Sequence, residues 1–202
     1  VALGAKAHQY ILGLYEVLRR IFGPRPEILL ESCASGGNRF DLGMLCFSPQ
    51  VWSSDDTDPI ERLTIQRSLS YLYPQSTIGA HVSAAPHAQT LRTTPLTTRG
   101  NVSFFGVLGY ELDLKHLVKV EEKEITEQIA FYKQYRYCFQ FGSFRRIKAT
   151  DAEAWQVSMR DLHLVGVFHR LVHAAPGYQQ LRLRGLKPNC TYRLHSRKQL
   201  LR

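Results

Sequence analysis

Four carboxylates, Asp55, Asp56, Asp58 and Glu61, fall within seven positions, directly after Trp52-Ser53-Ser54. Carboxylates this dense cap a helix, sit in a solvated turn or do catalytic work. Two of them have a structural duty. Asp58 suits a helix N-cap, Pro59 the first helical position, and Glu61 the third, from which its side chain reaches back to the cap. Asp55 and Asp56 have no such local task. The plain reading makes them a solvated turn. The chemical reading makes them proton donor and acceptor at the C-terminal end of a strand, where barrel enzymes keep their catalytic groups.

A second constellation runs from Glu31 to Asp41 (Glu-Ser-Cys-Ala-Ser-Gly-Gly-Asn-Arg-Phe-Asp). Gly36 and Gly37, placed after a short apolar run, let backbone N–H groups approach a ligand closely. No Lys-Ser or Lys-Thr follows, so a phosphate loop fits poorly. Arg39 and Asp41 are expected to pair with each other or with neighbours. Cys33 reads as a buried structural thiol. The four cysteines, Cys33, Cys46, Cys138 and Cys190, lack metal-ligand spacing, and His81, His87 and Cys46 do not supply it. They read as reduced thiols of a cytoplasmic protein. His81 alone reads as a satisfied structural group. No Gly-x-Ser-x-Gly elbow is present for a serine nucleophile.

The elements that must position these residues follow from periodicity. Ile11, Leu14, Leu18 and Ile21 recur at helical spacing over 8–22, and Gly23-Pro24 stops that helix. Short apolar runs predict strands near 27–32, 50–54, 76–81 and 103–108. A helix is expected from Asp58 to about Tyr71, a polar loop or short helix over 86–99, and an amphipathic helix over 121–135. Strand alternating with helix predicts a parallel sheet. After Tyr135 the rhythm changes. Trp155, Val157 and Met159 alternate with polar residues, as do Leu181 and Leu183, which predicts antiparallel strands with one wet face.

Charge supports a two-part chain. The formal net charge is +9 over 202 residues. Residues 1–135 hold 13 basic and 14 acidic side chains, whereas 136–202 hold 13 and 3. The basic residues Arg182, Arg184, Lys187, Arg193, Arg197, Lys198 and Arg202 interleave with apolar ones, which favours a sheet's wet face over nucleic-acid binding. With 44% hydrophobic and 21% charged residues the composition is that of a globular protein, not a disordered, collagenous or disulfide-dense one. No apolar run of about 18 residues predicts a membrane span. The start at Val1 lacks Met and a signal-peptide pattern, which reads as an interior stretch of a longer protein.

Several motifs occur together in order. They are Glu31-Ser-Cys-Ala-Ser-Gly-Gly-x-Arg-Phe-Asp-x-Gly-Met-Leu45, Pro49-Gln-Val-Trp-Ser-Ser-Asp-Asp-Thr-Asp58, Ile60-Glu-Arg-Leu63, Ile78-Gly-Ala-His-Val-Ser-Ala84, Thr94-Pro-Leu-x-Thr-Arg99 and Gly109-Tyr-Glu-Leu-Asp-Leu114. This series resembles the α-galactosidases of glycoside hydrolase family 36, closely over residues 25–140. The resemblance implies the C-terminal half of a (β/α)8 barrel over 1–135, followed by part of an antiparallel β-sandwich over 136–202. It implies retaining hydrolysis of terminal α-galactosides such as melibiose and raffinose, without cofactor or metal, in a homo-oligomeric enzyme that binds neither nucleic acid nor membrane. Retention needs two carboxyl groups roughly 5–5.5 Å apart.

By the resemblance, Asp55 is the acid/base, with Asp56 its rival or support, and adjacent carboxylates help one of the two keep its proton. Cys33, Ser35, Gly36, Gly37 and Trp52 map to the sugar site. The family's nucleophile, the Asp of a Lys-Trp-Asp motif, has no counterpart here: Trp52 and Trp155 follow Val51 and Ala154. Asn38 and His87-Ala88 are smaller departures. The chain thus carries the acid/base half alone and is expected to be inactive by itself. A galactosyl-transferring relative and a non-catalytic carbohydrate-binding remnant are the alternatives.

Overall fold

A computed structural model describes residues 2–172, 174, 175 and 177–196. Arg197, Lys198 and Arg202 of the basic segment lie outside the described residues. The elements in order are α1 (Ala2–Phe22), β1 (Glu31–Ser32), β2 (Gln50–Val51), α2 (Pro59–Leu69), β3 (Gly79–Ser83), α3 (Leu96–Ser103), β4 (Val107–Glu111), α4 (Lys119–Phe141), β5 (Ser143–Ile147), β6 (Glu153–Met159) and β7 (Leu162–Phe168).

The first four strands run parallel. β1 pairs with β2 and β3 with β4, and a Val51–Ile78 bridge joins the two pairs. The expected strands are shorter or shifted. Residues 27–30 stay outside β1, and 75–77 form a short 3-10 turn before β3. The apolar run at 103–108 is split: α3 ends at Ser103 and β4 starts at Val107, because Phe104 and Phe105 turn into the core. Between β1 and β2 there is a glycine turn and a 3-10 turn at Met44–Cys46 rather than a helix.

Side chains alternate across β3 and β4. Ile78, Ala80 and Val82 are fully buried, and Val82 packs with Leu96 of α3 and Ile125 of α4. Gly79, His81 and Gly109 stand on the other side, as the period of two requires. α1 keeps Ile11, Leu14 and Leu18 half-buried while Tyr10, Val17 and Ile21 stay exposed. Tyr15 ties it down: its hydroxyl donates to Asp41 Oδ1 at 2.7 Å, and the ring lies against Gly43, where a Cβ would meet its oxygen at 2.2 Å. Asp41 also accepts from the Met44 N–H. Of the two expected pairings of Asp41, the one with a neighbour forms, through the Met44 N–H, and Tyr15 rather than Arg39 is its other partner.

The change of rhythm at Tyr135 falls inside α4, which continues to Phe141 before Gly142. Strands β5–β6–β7 then form an antiparallel sheet. One core spans this boundary: Leu63, Val102, Phe104 and Phe105 pack with Tyr132, Cys138 and Phe139 of α4 and with Trp155, Val157 and Phe168 of the sheet. Leu181 and Leu183 form no strand among the described residues. The Gln156 side-chain amide, fully buried, instead takes both backbone groups of Arg184. It replaces the ladder partner that the alternation at 181–183 suggested.

Candidate active site

The loop after β2 is held from below by Asp58. Its carboxylate is fully buried, accepts the Ile60 N–H at 2.8 Å as the helix cap, and takes the Thr90 hydroxyl and Arg92 Nη1, the latter at 2.6 Å. Burial alone would raise its pKa; Thr90, Arg92 and the Ile60 N–H outweigh that and hold it below the ordinary carboxylate value. Glu61 does not reach back to the cap. Its Oε1 meets Arg92 Nη1 and Nη2, both at 3.2 Å, because the guanidinium already docked on Asp58 offers a stronger partner than an N–H. His87, buried, fixes the neighbouring Thr57, with Nε2 at 3.0 Å from Thr57 Oγ1.

Above this anchor the adjacent carboxylates differ. Asp56 is half-buried and its Oδ1 accepts the Asp58 N–H at 3.0 Å, while its own N–H donates to Ser54 Oγ. It is a turn residue. Asp55 is exposed and accepts the Trp52 indole N–H at 2.9 Å. Ser35, Gly36 and Gly37 have φ of 52°, 71° and 99°, and this left-handed run wraps onto the Asp55 segment. A Cβ at Gly36 would lie 3.0 Å from Asp55 N, and one at Gly37 2.6 Å from Ser53 O. The glycines are thus required both by φ and by close approach. Cys33, expected to be buried, is exposed at the end of β1, since only Ser32 turns into the core there.

Three further groups define the surroundings. Arg62 of α2 is buried and donates to Gln66 Oε1, Ser53 Oγ and the Gly79 carbonyl. Burial pushes its pKa down to about 10, with the Asp56 carboxylate working against the shift. His81 of β3 stacks on Trp52 with ring centroids 4.4 Å apart. Its Nδ1 lies 3.7 Å from Glu111 Oε2 on β4. Burial lowers the His81 pKa, opposed by Glu111 and Glu31. The sequence pattern did not single out Arg62 and Arg92, and made His81 a satisfied structural group. The signal for His81 was Gly79 and Gly109, two small residues in strands where bulky ones prevail. Among the described residues no three His, Cys, Asp or Glu side chains converge as a metal site.

The melibiase family matches residues 3–142. α-Galactosidase 1 of Pediococcus pentosaceus is 43% identical over 194 residues, 94% of this chain and 26% of that protein. α-Galactosidase AgaA of Geobacillus stearothermophilus is 45% identical over 193 residues, with 93% and 26% covered. The crystal structure of the α-galactosidase from Lactobacillus brevis superposes with a TM-score of 0.87 at 48% identity, over 90% of this chain and 25% of that one. A variant of GH36 AgaA in complex with raffinose superposes equally, with a TM-score of 0.87 at 45% identity, over 91% and 26%. The chain spans about a quarter of the length of these relatives. Residues that share both pattern and fold with these enzymes over nine-tenths of the chain leave one assignment: it belongs to the melibiase family, that of the glycoside hydrolase family 36 α-galactosidases.

Proposed function

We propose that this chain is the acid/base half of a retaining α-galactosidase acting on oligosaccharides of the raffinose and melibiose type. In this reading residues 1–135 are the second half of a (β/α)8 barrel and 136–202 part of a β-sandwich. The parallel pairing of β1 to β4 supports the barrel half. The observation that carries the chemistry is the division of labour among the carboxylates. Asp58, Glu61 and Asp56 are engaged by Arg92 and the turn backbone, whereas Asp55 stands exposed beside the glycine turn with one indole N–H on it.

Asp55 gives its proton to the departing glycosidic oxygen, then takes one from the water that releases the galactosyl-enzyme. The nucleophile belongs to a segment outside this chain. Cys33, Ser35, Gly36, Gly37 and Trp52 line the sugar side of Asp55. Raffinose, bound by the AgaA variant, is the model substrate. The complete enzyme is cytoplasmic and oligomeric in this reading.

The test is a chimera in which this chain replaces the matching quarter of Geobacillus stearothermophilus AgaA. The folded chimera is expected to hydrolyse raffinose, and Asp55→Ala to lower that activity by about 10²–10⁴-fold. Aryl galactosides, whose leaving group needs no proton, should still form the galactosyl-enzyme, and azide should speed its release. Azide rescue in Asp56→Ala with near-normal Asp55→Ala would move the role one residue on. The 202-residue chain alone should not turn over p-nitrophenyl α-galactoside; turnover above a blank would place a nucleophile within it.

A further inference from the structure

We infer that His81 is a positioning residue for Asp55, acting through Trp52 by fixing the ring whose N–H points at the carboxylate. The inference rests on the reading of Asp55 as the proton donor.

Trp52 follows directly on β2, and its indole can direct Nε1 to Asp55 Oδ1 only in one ring orientation. Two strands are cleared to hold it there. A Cβ on Gly79 would lie 3.1 Å from Trp52 Cε3, so the indole fills the space beside Gly79 on β3. The His81 ring, tilted 44° to the indole, closes the next position. His81 is registered opposite Gly109, and a Cβ there would lie 2.4 Å from His81 Cδ2 and 2.5 Å from Nε2. The imidazole therefore occupies the space that any larger residue on β4 would take. Glu111, two residues on along β4, borders its Nδ1 at 3.7 Å. The order across the sheet is Asp55, Trp52, His81, Glu111, each touching the next. The other ionisable groups facing this row are Glu31 on β1, Arg62 on α2 and Asp56 in the turn.

A filling role would cost stability when His81 is removed and leave the Trp52–Asp55 bond alone. A positioning role predicts loss of that bond. The chain has two tryptophans, so ¹⁵N labelling gives two indole N–H signals. The Trp155 signal, from a buried indole bonded to Glu153 at 2.8 Å, reports the core. In the 202-residue chain, His81→Ala should move the Trp52 signal to the position of a free indole and speed its exchange with water. His81→Phe, which keeps a ring on the indole, should leave it in place. Gly109→Ala, which forces a methyl into the His81 ring, should shift it as His81→Ala does. Asp55→Ala should do the same, and adding His81→Ala to it should change nothing more.

An unmoved Trp52 signal in both His81→Ala and Gly109→Ala overturns the inference, as does full additivity with Asp55→Ala. If His81→Ala also moves the Trp155 signal, the contrast between His81→Phe and Gly109→Ala decides. In the chimera, His81→Ala should lower kcat on raffinose roughly ten- to 10²-fold, a larger change than in KM, the mark of a misplaced group. Full raffinose activity of the Asp55→Ala chimera would sink the reading of Asp55 while the spectroscopic test stood. An unmoved signal with an inactive Asp55→Ala chimera would sink the role of His81 alone.

Discussion

Trp52 and Trp155 both give their indole N–H to a carboxylate, at 2.9 Å to Asp55 and 2.8 Å to Glu153. Their surroundings are opposite. Trp155 is fully buried, with Phe105, Phe144 and Phe168 ring centroids within 6.0 Å. It lies where α4 meets the antiparallel sheet, and Glu153 merely satisfies its one polar atom. Trp52 is half-buried on the polar side of the parallel strands, between His81 and the exposed Asp55. One hydrogen bond completes a core; the other holds an exposed carboxylate beside the glycine turn. The aromatic cluster holds the fold so that the strand ends are free to carry unpacked polar groups.

The largest expected effect on stability lies in the closed region. Trp155→Ala should cost about 4 kcal/mol, read as a lower urea midpoint, because the cavity sits in a rigid aromatic cluster. Asp58→Ala should cost about 2–3 kcal/mol, from a lost cap and from Thr90 and Arg92 groups left unpaired. This effect depends on pH. The folded value of Asp58 is depressed, so its contribution is complete above the ordinary carboxylate pKa and fades as pH falls through the depressed one. Urea midpoints of wild type and Asp58→Ala should therefore converge in acid. Gly37→Ala should cost about 2 kcal/mol, since φ of 99° and the Ser53 carbonyl both oppose a Cβ. Trp52→Phe should cost less than about 1 kcal/mol, keeping its ring contact while losing one exposed bond. In the chimera it should nonetheless lower kcat. A Trp52→Phe chain as unstable as Trp155→Ala would break the distinction between the two regions.

Much of this is legible in the amino-acid sequence. The Asp58-Pro59 helix start is a local device, closed within two residues, and it forms as read. The glycine pair marked a point of close backbone approach, which the structure shows against the Asp55 segment, and the alternation of strand and helix marked parallel strands. Glu61 misled because the local partner at the cap competes with Arg92, which is 31 residues away. Residue 135 misled because α4 carries apolar side chains for both neighbours, so the helix outlasts the change in pattern.

The sequence by itself determined most element types, the family and the short list of carboxylates, since helical period, capping and motif order act over a few neighbouring residues. Only the tertiary structure tied Asp56 into the turn backbone while leaving Asp55 exposed, turned Glu61 to Arg92, and laid His81 of β3 against Trp52. Those contacts depend on strand register. The pairing of His81 with Gly109 and the bridge from Val51 to Ile78 decide which side chains share a face, and no pattern along the chain encodes which distant strand supplies the neighbour.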